Sequence, residues 1–228
     1  MTTAEETDAH GELTVAPGSE TTDPDDVATP MPAAMVVTAL QVPGSLRELH
    51  LTALPGEVTL WQADDSAGSA EFVLALAGRY RTSSGRILIL DREADPPTLR
   101  REVVISRVVD VIEPEPRLTV GEYLASCRAL HGVRHLRIGA GEAMEDVGLP
   151  AGSSAERIED LSPADNVRVC VAGALLSRPV AVVVDRIDRG LTTPDWHALL
   201  ADVEAAAART GVAIVASSTR SGEGGDPS

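Results

Sequence analysis

The chain has 228 residues, and its 19 basic side chains, all arginine, face 35 acidic ones for a net charge of −16. With no lysine anywhere, every mechanism that needs a lysine ammonium is excluded, whether to grip phosphate, form a Schiff base or act as a general base. A strongly acidic chain also repels nucleic acid and anionic membrane surfaces, so neither is expected as a direct partner.

In chain order, residues 1–34 come first, with eight acids and no lysine or arginine. This stretch cannot bury a core and is expected to be a disordered acidic tail, serving as a solubiliser or as a partner-binding arm. Residues 35–40, 48–54 and 58–62 read as strands, and residues 69–77 read as a helix stopping at Gly78. Residues 86–90 and 103–105 are again of strand type. Thr119 with Glu122 three residues later is a capping box, opening a helix that runs to Leu130. Ser162-Pro163-Ala164-Asp165 is a second strong helix start, with a serine cap, proline at the first position and an acid in the first turn. That helix is expected to reach Ser177. Residues 180–184 form a continuous β-branched run of the kind found in strands buried on both faces, followed by a helix over 194–209 and a strand over 212–216. Residues 220–228 read as a flexible Gly/Ser-rich end. Cys127 and Cys170 each stand alone in an apolar helical stretch, which suits core packing in a reducing compartment and gives no disulfide or zinc framework. No apolar run is long enough to span a bilayer, so a cytoplasmic protein without direct membrane insertion is expected. Alternating strands and helices imply an α/β fold built on a mainly parallel sheet.

Seven fragments, in order, resemble the nucleotide-binding domain family of ATP-binding cassette (ABC) transporters. They are "LRELHLTALPGEVTLW", "LALAG", "SSGRILIL", "PRLTVGEYL", "LSPADNVRV" with its helix, "PVAVVVD" and "GVAIVASST". The resemblance covers residues 35–219 and implies a P-loop NTPase-like core with a mainly parallel sheet, an antiparallel β edge and a small helical subdomain at about 113–161. It also implies that this subdomain contacts coupling helices of a membrane subunit.

Carried over residue by residue, the family's motifs are eroded. The phosphate loop runs from Ala63 through Gly68 to Ser69, Ala70 and Glu71; Ser69 stands at the lysine position and Ala70 at the magnesium-binding hydroxyl. Asp64, Asp65 and Glu71 add negative charge, and a unit like charge about 5 Å from phosphate costs roughly 3 kcal/mol at an effective dielectric near 20. The Q-loop position falls near Asp110. Asp185 keeps the Walker B aspartate, but Arg186 follows where the resemblance implies a catalytic glutamate, and an arginine cannot accept a proton from water near neutrality. Thr219 stands at the switch histidine and Thr192 at the D-loop aspartate. The signature keeps Leu161 and Ser162 and replaces its glycines and glutamine by Pro163, Ala164 and Asp165, with Asp165 expected to turn negative charge toward an incoming phosphate.

The histidines, His10, His50, His131, His135 and His197, show no metal-ligand spacing on one face, and no serine sits in a nucleophile elbow. Arg100, Arg101 and Arg107 read as surface partners for nearby acids, and Asp185 and Arg186 as partners for one another. The expectation is therefore a degenerate ABC domain with no catalytic residue, no metal and no ATP or magnesium cofactor. Ala63, Gly68, Ser69, Ala70, Glu71, Ser162, Asp185, Arg186 and Thr219 would be its vestigial site. It would act as a structural or regulatory subunit, peripheral on the inner face of the cell membrane beside an integral permease or a second ABC ATPase. Two alternatives stand beside it: an ATP-binding subunit that hydrolyses ATP through non-standard residues or a partner, and a free-standing interaction protein whose acidic tail recruits a basic partner.

Overall fold

The computed structural model describes residues 31–63, 68–131 and 138–220. Residues 1–30 of the expected acidic tail, which include His10, and Asp64, Asp65, His135 and residues 221–228 lie outside the described residues, whereas Ala34 at the tail's end is buried in the core.

Two four-stranded sheets organise the domain. Strands β1 (Met35–Gln41), β2 (Leu49–Ala53), β4 (Ser84–Ile89) and β5 (Arg92–Glu93) form an antiparallel sheet in the order β2-β1-β4-β5. Strands β3 (Val58–Gln62), β6 (Val103–Arg107), β7 (Ala181–Val184) and β8 (Ala213–Ser218) form a parallel sheet in the order β3-β8-β7-β6. Every side chain of β7 and β8 is buried. Their alternation explains why both strands are apolar throughout: Val182, Val184, Ile214 and Ala216 join one core, while Ala181, Val183, Ala213 and Val215 join another on the opposite face. The first core is closed by helices and the second by the antiparallel sheet with the first helix, so the parallel sheet is covered on both sides.

Helix α1 (Ser69–Leu76) follows β3, and α2 (Pro96–Glu102) precedes β6. Between β6 and β7 come α3 (Val120–His131), α4 (Ala140–Asp146), two short 3₁₀ turns at Ala151–Ala155 and Ile158–Asp160, and α5 (Pro163–Leu175). Helix α6 (Thr193–Thr210) joins β7 to β8. The capping box at Thr119 is fully formed: Glu122 accepts from the Thr119 amide at 2.8 Å, and the Glu122 amide donates to the Thr119 hydroxyl at 3.2 Å. Ser162 and Thr192 cap α5 and α6 through the amides of Asp165 and Asp195.

Gly78 ends α1 in the left-handed region, at φ 66°, and a Cβ there would lie 2.5 Å from the carbonyl oxygen of Pro96. Only glycine allows α2 to approach the end of α1 this closely. Helix α2 and strand β5 are not anticipated by periodicity because they are too short to show a repeat. The α2 start nevertheless carries a local signal, since Asp95 accepts from the Thr98 amide at 2.9 Å just before two prolines. Helix α5 stops at Leu175, two residues short of the expected end.

Candidate functional site

The carboxyl ends of β3, β7 and β8 converge, which is where α/β sheets place their ligand sites. Val184, Ala216 and Leu60 share one register row, so the residues that follow them leave the sheet together. The Ala63 amide donates to the Ser218 carbonyl at 2.8 Å, fixing the exit of β3 beside β8. Gly68, at φ 143°, heads α1 without any side-chain cap. Ser69 is buried as the first helical residue, and Ala70 and Glu71 are half-buried behind it. A cavity of about 320 Å³ lies between this helix start and β2, with Arg47, His50, Trp61, Ser69 and Phe72 in its wall.

Asp185 follows β7 and is 1% exposed. One carboxylate oxygen accepts from the Ser217 hydroxyl at 2.9 Å, and the other accepts from the Val109 amide at 3.2 Å. The Ser217 oxygen also accepts from the Arg186 amide at 2.7 Å. Arg186 itself has φ 42°, an unusual backbone for a long side chain, and its carbonyl accepts from Arg107 at 2.9 Å. The structure thus corrects two expectations. Asp185 spends its carboxylate oxygens on Ser217 and Val109, and Arg107 is a buried brace, 5% exposed, instead of a surface partner for acids. Arg100 likewise reaches a backbone carbonyl, that of Gly78, while Arg101 pairs with Glu102 as expected.

Asp188 is the residue that sequence reasoning missed. It is 4% exposed, and its carboxylate accepts from the Thr219 amide at 3.1 Å, the Thr219 hydroxyl at 2.7 Å and the Arg220 amide at 3.2 Å. The turn after β7 is thereby tied to the segment after β8. Arg220 completes the clasp by donating to the Leu191 carbonyl at 2.6 Å. Asp110, near the Q-loop position, pairs with Arg189 at 3.0 Å on the exposed rim.

Ser162 lies at a different place, the start of α5. Its hydroxyl donates to Asp165 at 2.7 Å and accepts from the Asp165 amide at 3.1 Å. Asp165 also pairs with Arg168 at 2.8 Å, and Arg168 bridges on to Asp202. The acid expected to project bare charge is therefore neutralised within its own helix. Sequence positions Ala63, Asp185, Arg186 and Thr219 are brought together by β3, β7 and β8, whereas Gly68 to Glu71 sit at the head of α1 and Ser162 at the head of α5. Among the described residues, no group of three or more His, Cys, Asp or Glu side chains is arranged to hold a metal ion. His50 accepts from the Ala39 amide at 3.3 Å and lies 3.4 Å from Glu48.

The same architecture recurs in solved ABC proteins. CbiO1 from Clostridium perfringens, part of the ABC transporter complex CbiONQ, superposes with a TM-score of 0.65 at 18% identity, covering 83% of this chain and 79% of that one. A nucleotide-free ATP-binding cassette from an ABC transporter gives 0.65 at 16% identity, covering 82% of each chain. The fold is that of an ABC ATPase domain. In sequence, the chain is 31% identical over 161 residues to the zinc import ATP-binding protein ZnuC of Paracoccus denitrificans, covering 71% of this chain and 58% of that protein. It is 28% identical over 149 residues to an ABC transporter ATP-binding protein of Streptomyces avermitilis, covering 64% of this chain and 26% of the other. The chain spans 58% and 26% of the length of these two relatives. No family model matches it. These sequence relatives are ABC transporter ATP-binding proteins, and the structural neighbours share the fold described above. No described helix of this ABC-type fold is long and apolar enough to cross a membrane.

Proposed function

We propose that this chain is an ABC transporter ATP-binding-type subunit that has lost catalysis and serves a membrane transporter complex as a structural or regulatory part. The observation that carries the reading is Asp185: it is 1% exposed and its carboxylate oxygens are engaged by Ser217 and Val109. A carboxylate so occupied is poorly placed to organise a metal-bound water, and the residue after it, Arg186, has no proton-accepting form near neutrality. The donor set does not fit a magnesium-nucleotide. There is no lysine to hold the β- and γ-phosphates, and Ala70 offers no hydroxyl at the head of α1. Thr219, at the switch position, is bonded to Asp188 and cannot take the part of an imidazole.

At the second half-site, Ser162 and Asp165 satisfy one another and Arg168, which makes a stable helix start and engages the Ser162 hydroxyl within its own helix. Relatives named for zinc, ribose and polyamine import support a place in a transporter, beside an integral permease or a second ABC ATPase. That association would put the chain on the inner face of the cell membrane. The test is photolabelling of the full chain with azido-ATP, magnesium and vanadate, alone and co-expressed with a permease subunit. The reading expects label on any active ATPase partner and none on this chain; trapped nucleotide here overturns it.

A further inference from the structure

Strand β6 lines a cavity of about 930 Å³, within the size range of small-molecule sites. At its amino end the Val180 amide donates to the Glu102 carbonyl at 2.9 Å, which brings the end of α5 beside the end of α2. Arginines gather there in the cavity wall: Arg100 and Arg101 on the last turn of α2, Arg79 after α1 and Arg178 after α5. Arg101 pairs with Glu102 at 2.7 Å and Arg178 with Glu142 at 3.1 Å. Arg79 and Arg100 instead donate to backbone carbonyls, those of Ala77 at 3.1 Å and Gly78 at 2.8 Å, and neither has an ion-pair partner among the described residues. Burial, followed by the charge of Arg100, lowers the affinity of Arg79 for its proton. Two guanidinium forks that face one cavity without an acid form half of a charge pair, and a carboxylate completes it through parallel N–H···O bonds.

The rest of the wall says what carries that carboxylate. Ser177, one residue before Arg178, has a buried hydroxyl oxygen with no hydrogen-bond partner, and Ser106 on β6, 4% exposed, has another. Such oxygens are normally satisfied, so both point to a ligand that brings a polar group. Leu118 and Ile112 add apolar surface, Ile112 being 37% exposed. Glu113 and Glu115 follow β6 at its carboxyl end, and a five-residue strand separates them from Glu102 by roughly 15 Å. They repel a negative head from their end and leave the arginine end to receive it. Four arginines against three glutamates in the wall suit one negative charge better than a polyanion.

We propose that this cavity binds a small aliphatic acid, with its carboxylate forked on Arg79 and Arg100 beside Ser177 and its apolar body laid along β6 against Leu118 and Ile112. The site is separate from the candidate nucleotide site at the carboxyl ends of β3, β7 and β8. A ligand there touches α2, α3 and the end of α5 together, so its occupancy ties the helices inserted between β6 and β7 to the rest of the domain.

The experiment is calorimetric titration of the full-length chain with butanoate, hexanoate and octanoate, with 1-octanol and octylamine as uncharged and cationic counterparts. One saturable site is expected for octanoate, with affinity rising about two- to fourfold per added methylene. Octanol and octylamine should bind at least about tenfold more weakly, and octanoate should lose about tenfold or more on the Arg79→Ala/Arg100→Ala chain. Because that variant also frees the Ala77 and Gly78 carbonyls, Ile112→Glu at an exposed position is the second variant. It should remove the gain with chain length and leave butanoate unchanged. Octanol or octylamine binding as tightly as octanoate, undiminished octanoate affinity in the double alanine chain, a chain-length gain that survives Ile112→Glu, or no saturable octanoate binding would each overturn the proposal.

Discussion

Replacing Asp188 by alanine should loosen the clasp between the β7–α6 turn and the end of β8. The carboxylate accepts three hydrogen bonds, from the Thr219 amide, the Thr219 hydroxyl and the Arg220 amide, at 4% exposure. A hydrogen bond to a charged group nets about 1.5–3 kcal/mol, but three bonds to one group are not additive, so roughly 3–4 kcal/mol is the expected loss. At about 2–4 °C per kcal/mol for a domain of this size, the melting temperature should fall by roughly 6–15 °C. Asp188→Asn keeps one acceptor oxygen and should lose about half as much. Calorimetry measures the total, and hydrogen exchange locates it, because the Thr219 and Arg220 amides should exchange faster than the interior amides of β8. A variant melting within about 2 °C of wild type, with those amides still protected, would refute the assignment of Asp188 as the clasp.

Other perturbations read other parts of the structure. Gly78→Ala drives a Cβ to 2.5 Å from the Pro96 carbonyl oxygen at φ 66° and should cost about 2–4 kcal/mol in urea unfolding, with a loss under 1 kcal/mol contradicting the close approach of α2. Hydrogen bonds from Thr119 hold Glu122, and those from Thr98 hold Asp95, below the usual carboxylate range. A carboxyl group with a folded pKa below its unfolded one contributes stability above the unfolded value and loses it as pH falls through the folded one. Glu122→Gln and Asp95→Asn should therefore flatten the acid limb of the stability profile, and an unchanged limb would contradict both caps. Burial pushes the Cys170 thiol up to about 12 and raises that of half-buried Cys127 as well. Iodoacetamide at neutral pH should label Cys127 slowly and Cys170 only after denaturation; equal rates in the native protein would contradict the burial of Cys170.

Strand β7 was legible because burial on both faces leaves a continuous apolar, largely β-branched run. The starts of α3 and α5 were legible because capping is local chemistry that Thr119 and Ser162 carry in their own neighbourhoods. The candidate site divided along the same line. Its positions follow from chain order, but the partners of Asp185 come from 76 and 32 residues away, so nothing near Asp185 announces Val109 or Ser217. Arg107 looks like a surface charge in a basic stretch, and only the sheet register turns it inward beneath Arg186. Asp188 had a faint signal in the run Asp185-Arg186-Ile187-Asp188, a second acid where a turn must satisfy backbone amides from another strand.

Equilibrium titration of the full-length chain with Mg-ATP, by calorimetry and with hydrolysis followed in parallel, tests the inactive-subunit reading most directly. The account predicts no saturable heat into the millimolar range and phosphate release no faster than in buffer. Micromolar binding, or turnover that Asp185→Asn abolishes, would contradict it.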